Sequence, residues 1–259
     1  MRDFTLNKYE LLLKVIRRNG YTILPFVDFI EGNRPEKVVI LRHDVDNKPK
    51  QSLEKARIEY DAGIRSTYYF RIVEESNDPE VIEKIASLGH EIGYHYEDLS
   101  LANGEFDKAI DLFAKHLQYF RKFYPVKTIC MHGSPASVWD NRLIWRNYNY
   151  RDFGVIAEPY FDIDFSHTLY LTDTGRRWNG SAVSVRDKIK NSFQSQYNFR
   201  TTQQVLEAFD SGKTPYVIMM TTHPQRWDNN LAPWMSEFVL QNIKNAIKKY
   251  LYITPPMTD

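Results

Sequence analysis

The sequence predicts an α/β fold with a parallel sheet, and three observations carry that prediction. Apolar runs rich in β-branched residues alternate with amphipathic stretches, several of them closed by a glycine. The run Val38-Val39-Ile40-Leu41 is apolar without alternation, as in a strand buried on both faces. Four strand-like runs end in histidine or aspartate, at residues 43–46, 95, 132 and 223. In α/β folds, chemistry gathers beyond the carboxyl ends of the strands, so these ends point to one shared metal or acid/base site on a barrel face. With 259 residues and 42% hydrophobic content, the chain suffices for one such barrel as a single domain spanning residues 1–259.

In chain order, Asn7 to Arg18 reads as a helix with Leu11, Leu12, Val15 and Ile16 on one face, expected to pack outside the barrel. The first strand starts at Val38 and delivers His43, Asp44 and Asp46. Alternation along a strand sends Asp44 and Asp46 to the same side, where two carboxylates can divide into metal ligand and general base. Lys48 to Ala62 is a helix ended by Gly63, and Ser66 to Ile72 a strand. Pro79 to Leu88 is a helix capped by Gly89, after which a short strand delivers His95, Glu97 and Asp98. Phe106 to Phe123 is a long amphipathic helix, and Val126 to Met131 a strand that ends in His132-Gly133-Ser134-Pro135. Val155-Ile156-Ala157 and Leu169-Tyr170-Leu171 read as short strands. Thr201 to Phe209 and Ser236 to Leu251 read as helices, with the apolar strand from Tyr216 to Thr222 between them ending at His223-Pro224. The polar stretch Asn179 to Arg200 reads as a loop or insertion over the site.

The order Asp44-Val45-Asp46, then Gly89-His90-Glu91-Ile92-Gly93-Tyr94-His95, then a late strand-end His223 resembles the polysaccharide deacetylases, the NodB-homology or carbohydrate esterase 4 group. The resemblance runs from about Val38 to Pro224. Arg42-His43-Asp44-Val45-Asp46, His132-Gly133-Ser134-Pro135 and Leu171 to Trp178 look like a divergent branch linked to surface-polysaccharide synthesis. The resemblance implies a distorted seven-stranded (β/α) barrel. It implies a divalent metal, zinc being the expected ion, and hydrolysis of the N-acetyl group of a sugar during surface polysaccharide synthesis or modification. It assigns Asp44 as general base, Asp46 and His95 as metal ligands, and His223 as general acid. One departure is decisive: Leu99 stands where the family's second ligand histidine is expected. Glu97, Asp98 or His132 then supplies the third ligand, and His132 alternatively orients Asp44. Two other readings follow from that gap: a catalytically silent barrel that binds glycan in the same cleft, and a hydrolase of another C–N bond.

The remaining residues bound the partners. Aromatic residues make up 14% of the chain, and Trp139, Tyr160, Trp178 and Trp227 lie beside the motifs as candidates for stacking on a sugar. Asp173, within the turn-like Thr172-Asp173-Thr174-Gly175, is placed to orient His223 or to meet substrate. Arg176 and Arg177 suit an anionic sugar or a phosphate-linked carrier. A net charge of +1 gives no general basic surface for nucleic acid or an anionic membrane. Cys130 is the only cysteine, so no intrachain disulfide forms, and its apolar run suits packing better than nucleophilic attack. No stretch reaches transmembrane length. The first 20 residues interrupt their leucines with Lys8, Glu10, Lys14, Arg17 and Arg18, unlike a signal peptide, which leads to the expectation of a cytoplasmic protein.

Overall fold

The computed structural model describes residues 2–133, 137–179, 189 and 192–251. Seven strands join one sheet: β1 (Thr22–Leu24), β2 (Val38–Val45), β3 (Thr67–Phe70), β4 (Glu91–Tyr96), β5 (Ile129–Met131), β6 (Leu169–Thr172) and β7 (Val217–Thr222). The order is β5-β4-β3-β2-β7-β6, with β1 on the first half of β2, and every ladder is parallel. The helices are α1 (Leu6–Arg18), α2 (Phe26–Ile30), α3 (Pro49–Asp61), α4 (Pro79–Ser87), α5 (Asp98–Leu101), α6 (Phe106–Phe120), α7 (Pro159–Asp162), α8 (Ser192–Ser195), α9 (Thr202–Asp210) and α10 (Leu231–Leu251). Local chemistry sets their starts. Thr5 caps α1 through Lys8 N at 3.2 Å, Asp78 caps α4 ahead of Pro79, and Thr201 and Gln204 form a capping box on α9.

The sheet is curled, and β2 shows it. Val39, Leu41 and Val45 face the helical layer, while Val38, Ile40, Arg42 and Asp44 face inward. Arg42 reaches Thr221 on β7 (2.6 Å), Tyr170 on β6 (3.1 Å) and the Cys130 thiol on β5. In a flat sheet β2 and β5, three places apart, would lie roughly 14 Å from each other; only a strong bend brings one side chain to both edges. No ladder joins β5 to β6 among the described residues. On that side β5 pairs instead with Ala157, whose carbonyl accepts from Ile129 N at 3.2 Å. The result is an open barrel with a filled interior. Inside it the Tyr69 ring lies so close to Gly93 that a Cβ there would come within 2.3 Å of it.

Three sequence expectations change. Thr22–Leu24 is the strand that apolar patterning did not reveal, being three residues between Gly20 and Pro25. Val155–Ala157 makes only the bridge at Ala157 and is not a strand. The total of seven is unchanged. Helix α10 starts at Leu231, five residues before the expected Ser236. Of the polar stretch Asn179 to Arg200, residues 180–188, 190 and 191 lie outside the described residues, as do Ser134 and Pro135 of the third motif. No helix among the described residues is long and apolar enough to cross a membrane.

Candidate metal and acid–base site

Because all strands run the same way, their carboxyl ends share one face of the barrel. Asp44 and Asp46 come from the end of β2, His95 from β4, His132 from just beyond β5, Asp173 from just beyond β6 and His223 from just beyond β7. The structure brings these six side chains together. Asp46 is the hub: its Oδ1 lies 3.6 Å from His95 Nε2 and 3.7 Å from His132 Nε2, and its Oδ2 lies 3.8 Å from His223 Nε2. Gln225 Nε2 donates to Oδ2 at 3.2 Å. Asp44 Oδ2 is 4.0 Å from His95 Nε2 and 3.7 Å from the Arg42 guanidinium.

The second nitrogen of each imidazole fixes its role. His95 Nδ1 is 2.9 Å from the Cys130 carbonyl, and His132 Nδ1 is 2.9 Å from Glu97 Oε2. A carbonyl and a carboxylate only accept, so both Nδ1 atoms carry the hydrogen and both rings turn Nε2 toward Asp46. Burial opposes the charged form of His95, but Asp44 and Asp46 outweigh it and push that imidazole up. His223 Nδ1 is held 2.6 Å from Asp173 Oδ1, with Arg226 Nη1 2.7 Å from the same oxygen. Burial alone would push the Asp46 carboxyl up, but the imidazoles of His223, His95 and His132 outweigh it and hold the group well below the usual carboxylate range. Burial likewise opposes ionisation of Glu97, yet His132 and Arg71 bring it down to about 2.

These donors fit a divalent metal. The ligand atoms of Asp46, His95 and His132 lie within 4.8 Å of one another. Bonds of ~2.1 Å in a tetrahedral site put ligand atoms ~3.4 Å apart, close to the 3.6 and 3.7 Å found here. Asp46 Oδ1 and Asp44 Oδ1 are buried without a hydrogen-bond partner, a costly condition that a cation relieves. Hydrogen bonds from ligand histidines to a carbonyl and a carboxylate are the usual means of fixing such rings around a metal. Asp44, His95 and Cys130 form a second grouping within the same limit. Burial pushes the Cys130 thiol up, and a protonated thiol is no ligand.

The alternatives for the third ligand separate clearly. Glu97 is clamped by Arg71 at 2.8 and 2.9 Å and serves His132. Asp98 is fully buried under Tyr94 and His116. Leu99 is 0% exposed within the apolar cluster of α5, α6 and β4. His132 is the residue whose free nitrogen faces Asp46, and Arg42, not His132, stands beside Asp44.

The expected substrate contacts divide. Trp139, at 36% exposure in the loop after His132, rests on Gly104 and keeps a face open to solvent. Trp178 and Trp227 are 2% and 0% exposed, so neither offers a ring to a ligand. They pack with Phe4, and Trp227 Nε1 donates to Asp173 Oδ2 at 2.7 Å. Asp173 is itself fully buried, accepting from His223 N, Arg226 and Trp227, which places it behind His223 and away from a sugar. Arg176 is stacked on Trp234 and Phe238 and donates to the Arg226 carbonyl at 2.9 Å, so these neighbours engage it. Tyr160 lies under the guanidinium groups of Arg42 and Arg142. Sequence reasoning did not single out Arg42, Arg71, Glu97 as the partner of His132, Gln225 or Arg226. Arg42 was legible, two residues before Asp44 on one strand; the others arrive from separate loops.

Among known proteins, no family model and no curated sequence matches the chain. Solved structures similar to it belong to carbohydrate esterase family 4. A mutant of a family 4 pseudoenzyme with restored enzymatic activity aligns over 83% of this chain at 12% identity and a TM-score of 0.41; this chain spans 64% of that one's length. PdaA of Bacillus subtilis, a family 4 carbohydrate esterase, aligns over 92% of this chain and 83% of its own at 14% identity and a TM-score of 0.40. The family 4 domain of a multidomain xylanase from the hindgut metagenome of Trinervitermes trinervoides aligns over 86% and 95%, at 12% identity and a TM-score of 0.36. At these values the likeness transfers no residue roles to this chain.

Proposed function

We propose that this chain is a metal-dependent amide hydrolase that removes the acetyl group from an N-acetylated sugar. The observation that carries the reading is the convergence of Asp46 Oδ1 with Nε2 of His95 and of His132, beside a second carboxylate and a third imidazole. The N-acetyl sugar is supported by the sequence resemblance around Asp44, Asp46, His95 and His223. Asp46, His95 and His132 would hold the ion, and zinc suits a set of two imidazoles and one carboxylate. A divalent ion there supplies Lewis-acid polarisation of the amide carbonyl. Asp44 takes the proton of the attacking water. His223 delivers a proton from Nε2 to the leaving nitrogen, while Asp173 holds the resulting imidazolium through Nδ1. Trp139 offers an aromatic face for the sugar ring.

The test is acetate release from N-acetylglucosamine oligomers and nucleotide-linked N-acetyl sugars with zinc added. Release that disappears in Asp46→Ala together with bound metal supports the reading. Protein that holds zinc but releases no acetate from any of these sugars would move the reading to another C–N bond. Protein that takes up no divalent ion would leave the glycan-binding barrel.

A further inference from the structure

Helix α10 is inside out. Glu237, Gln241 and Asn245, at spacing i, i+4, i+8, turn toward the body: the first two are 9% and 5% exposed, and Asn245 donates to the Gly175 carbonyl at 3.1 Å. The outward stripe is apolar. Leu231, Met235, Val239, Ile243 and Ile247 follow one another at i+4 and are 44–60% exposed. A lone surface helix faces the other way round, with its apolar side on the core. With Phe238 and Leu240 beside it, the stripe offers on the order of 600 Å² of apolar surface, at the upper end for a monomer and near the roughly 800 Å² per partner of a standard interface.

The pattern on this face selects its partner. It reads the same in both directions about Val239. A twofold axis through that residue, with two helices antiparallel, sets Leu231 against Ile247 and Met235 against Ile243 of the other copy. It also sets Ala232 against Ala246 and Ser236 against Asn242, while Phe238 and Leu240, about 100° to either side of Val239, flank the contact. Large apolar thus meets large apolar, small meets small and polar meets polar, all on residues that the monomer leaves exposed. Such self-matching is what an isologous interface requires, and rows at i±4 on both helices interdigitate in the commonest helix-packing class. A membrane-lying helix would instead carry cations along its whole length beside the apolar stripe, whereas the three of this helix, Lys244, Lys248 and Lys249, all fall in its last two turns. We propose that the outward face of α10 joins two copies of this chain into a dimer about a twofold axis through Val239.

The experiment is light scattering and sedimentation of the whole chain at roughly 50 µM, well above the Kd expected of a near-standard interface. The wild type should run as a dimer, and Val239→Glu, which sets two carboxylates face to face on the axis, as a monomer with unchanged circular dichroism. Cross-linking fixes the register: Val239→Cys should oxidise to a covalent dimer. Leu231→Cys should link to Ile247→Cys in a mixture and not to itself. A monomeric wild type overturns the proposal, and its pelleting with vesicles of anionic phospholipid would hand the face to a membrane. A Val239→Glu protein that stays dimeric, or self-linking of Leu231→Cys that outpaces Val239→Cys, overturns the axis.

Discussion

Strand β2 sends Asp44 into the curled sheet and His43 to the outside, and the two neighbours lead to clusters of nearly the same composition. Outside, Glu59 accepts from Ser66 Oγ at 2.6 Å, from Tyr68 OH at 2.9 Å and from Tyr9 OH, and its Oε1 lies 2.8 Å from His43 Nε2. His43 Nδ1 is 2.7 Å from Thr222 Oγ1, which also accepts from Lys55 Nζ at 2.5 Å. Each of these residues is fully buried. Inside, Asp44 Oδ1 and Asp46 Oδ1 have no hydrogen-bond partner, and three imidazoles direct Nε2 at the Asp46 carboxylate from 3.6–3.8 Å. Asp46 is 22% and His132 13% exposed, which opens this cluster to solvent. Histidines beside carboxylates therefore do not mark a site by themselves. His43 Nε2, though 2.8 Å from Glu59, makes no directed hydrogen bond either, so leftover bonding capacity marks a site where solvent or an ion can also reach it, as at Asp46 and His132.

Substitutions on the two sides should separate chemistry from stability. The largest effect belongs to the inner side: Asp44→Asn should keep its metal yet lose turnover by about 10²–10⁴, as for one acid/base group. His223→Ala should behave likewise. Acetate release with metal content measured in parallel checks both, and undiminished turnover in Asp44→Asn would remove it as the base. On the outer side, Glu59→Gln should leave metal content unchanged and destabilise by about 3 kcal/mol, because it strips the charge around which buried donors are arranged. For a chain of this size that is a fall in Tm of roughly 6–12 °C. A Glu59→Gln protein that melts normally but loses metal would break the distinction.

A third effect is a pH dependence of the outer cluster above neutrality. Burial brings Lys55 down to about 7 from its ordinary value, only partly offset by Asp173 and Glu59. Between pH 7 and the ordinary lysine range the unfolded chain then binds more protons than the folded one, so this residue makes stability rise with pH in that window and adds no slope below it. The gain from pH 7 to 9 is on the order of 2 kcal/mol, and Lys55→Met should flatten it in denaturant melts. An equal rise in Lys55→Met would assign the slope elsewhere. The smallest effect returns to the inner side. Arg71→Met should loosen Glu97, and with it His132, weakening metal affinity about tenfold; unchanged affinity would mean that Glu97 holds the ring unaided.

The strand ends were legible because a parallel barrel hides its strands as apolar runs and shows chemistry only where they stop. Asp44, Asp46, His95 and His223 stand out for that reason, and seven strands could be expected although one was misplaced. Thr22–Leu24 was too short and too close to Gly20 and Pro25 to read as a strand. Aromatic residues misled, since Trp178 and Trp227 near the motifs have the composition of a sugar platform and the burial of core. The third ligand was open for a physical reason: Glu97, Asp98 and His132 all carry donor atoms. Only folding shows that Arg71, Tyr94 and His116 occupy the two carboxylates and leave His132 Nε2 free. The polar side of α10 gave no sign in sequence that it faces the protein.

The central claim is that His132 completes the metal site that Leu99 cannot. Calorimetric titration with zinc tests it on the wild type, on His132→Ala and on the double variant Leu99→His/His132→Ala. The wild type should bind one tight equivalent, and removal of His132 should cost affinity on the order of 10²-fold or more, since a two-ligand site holds zinc poorly. The double variant should show no recovery, because position 99 is sealed in the apolar cluster of β4 and α6. Wild-type affinity in His132→Ala, or its return with a histidine at 99, would contradict it.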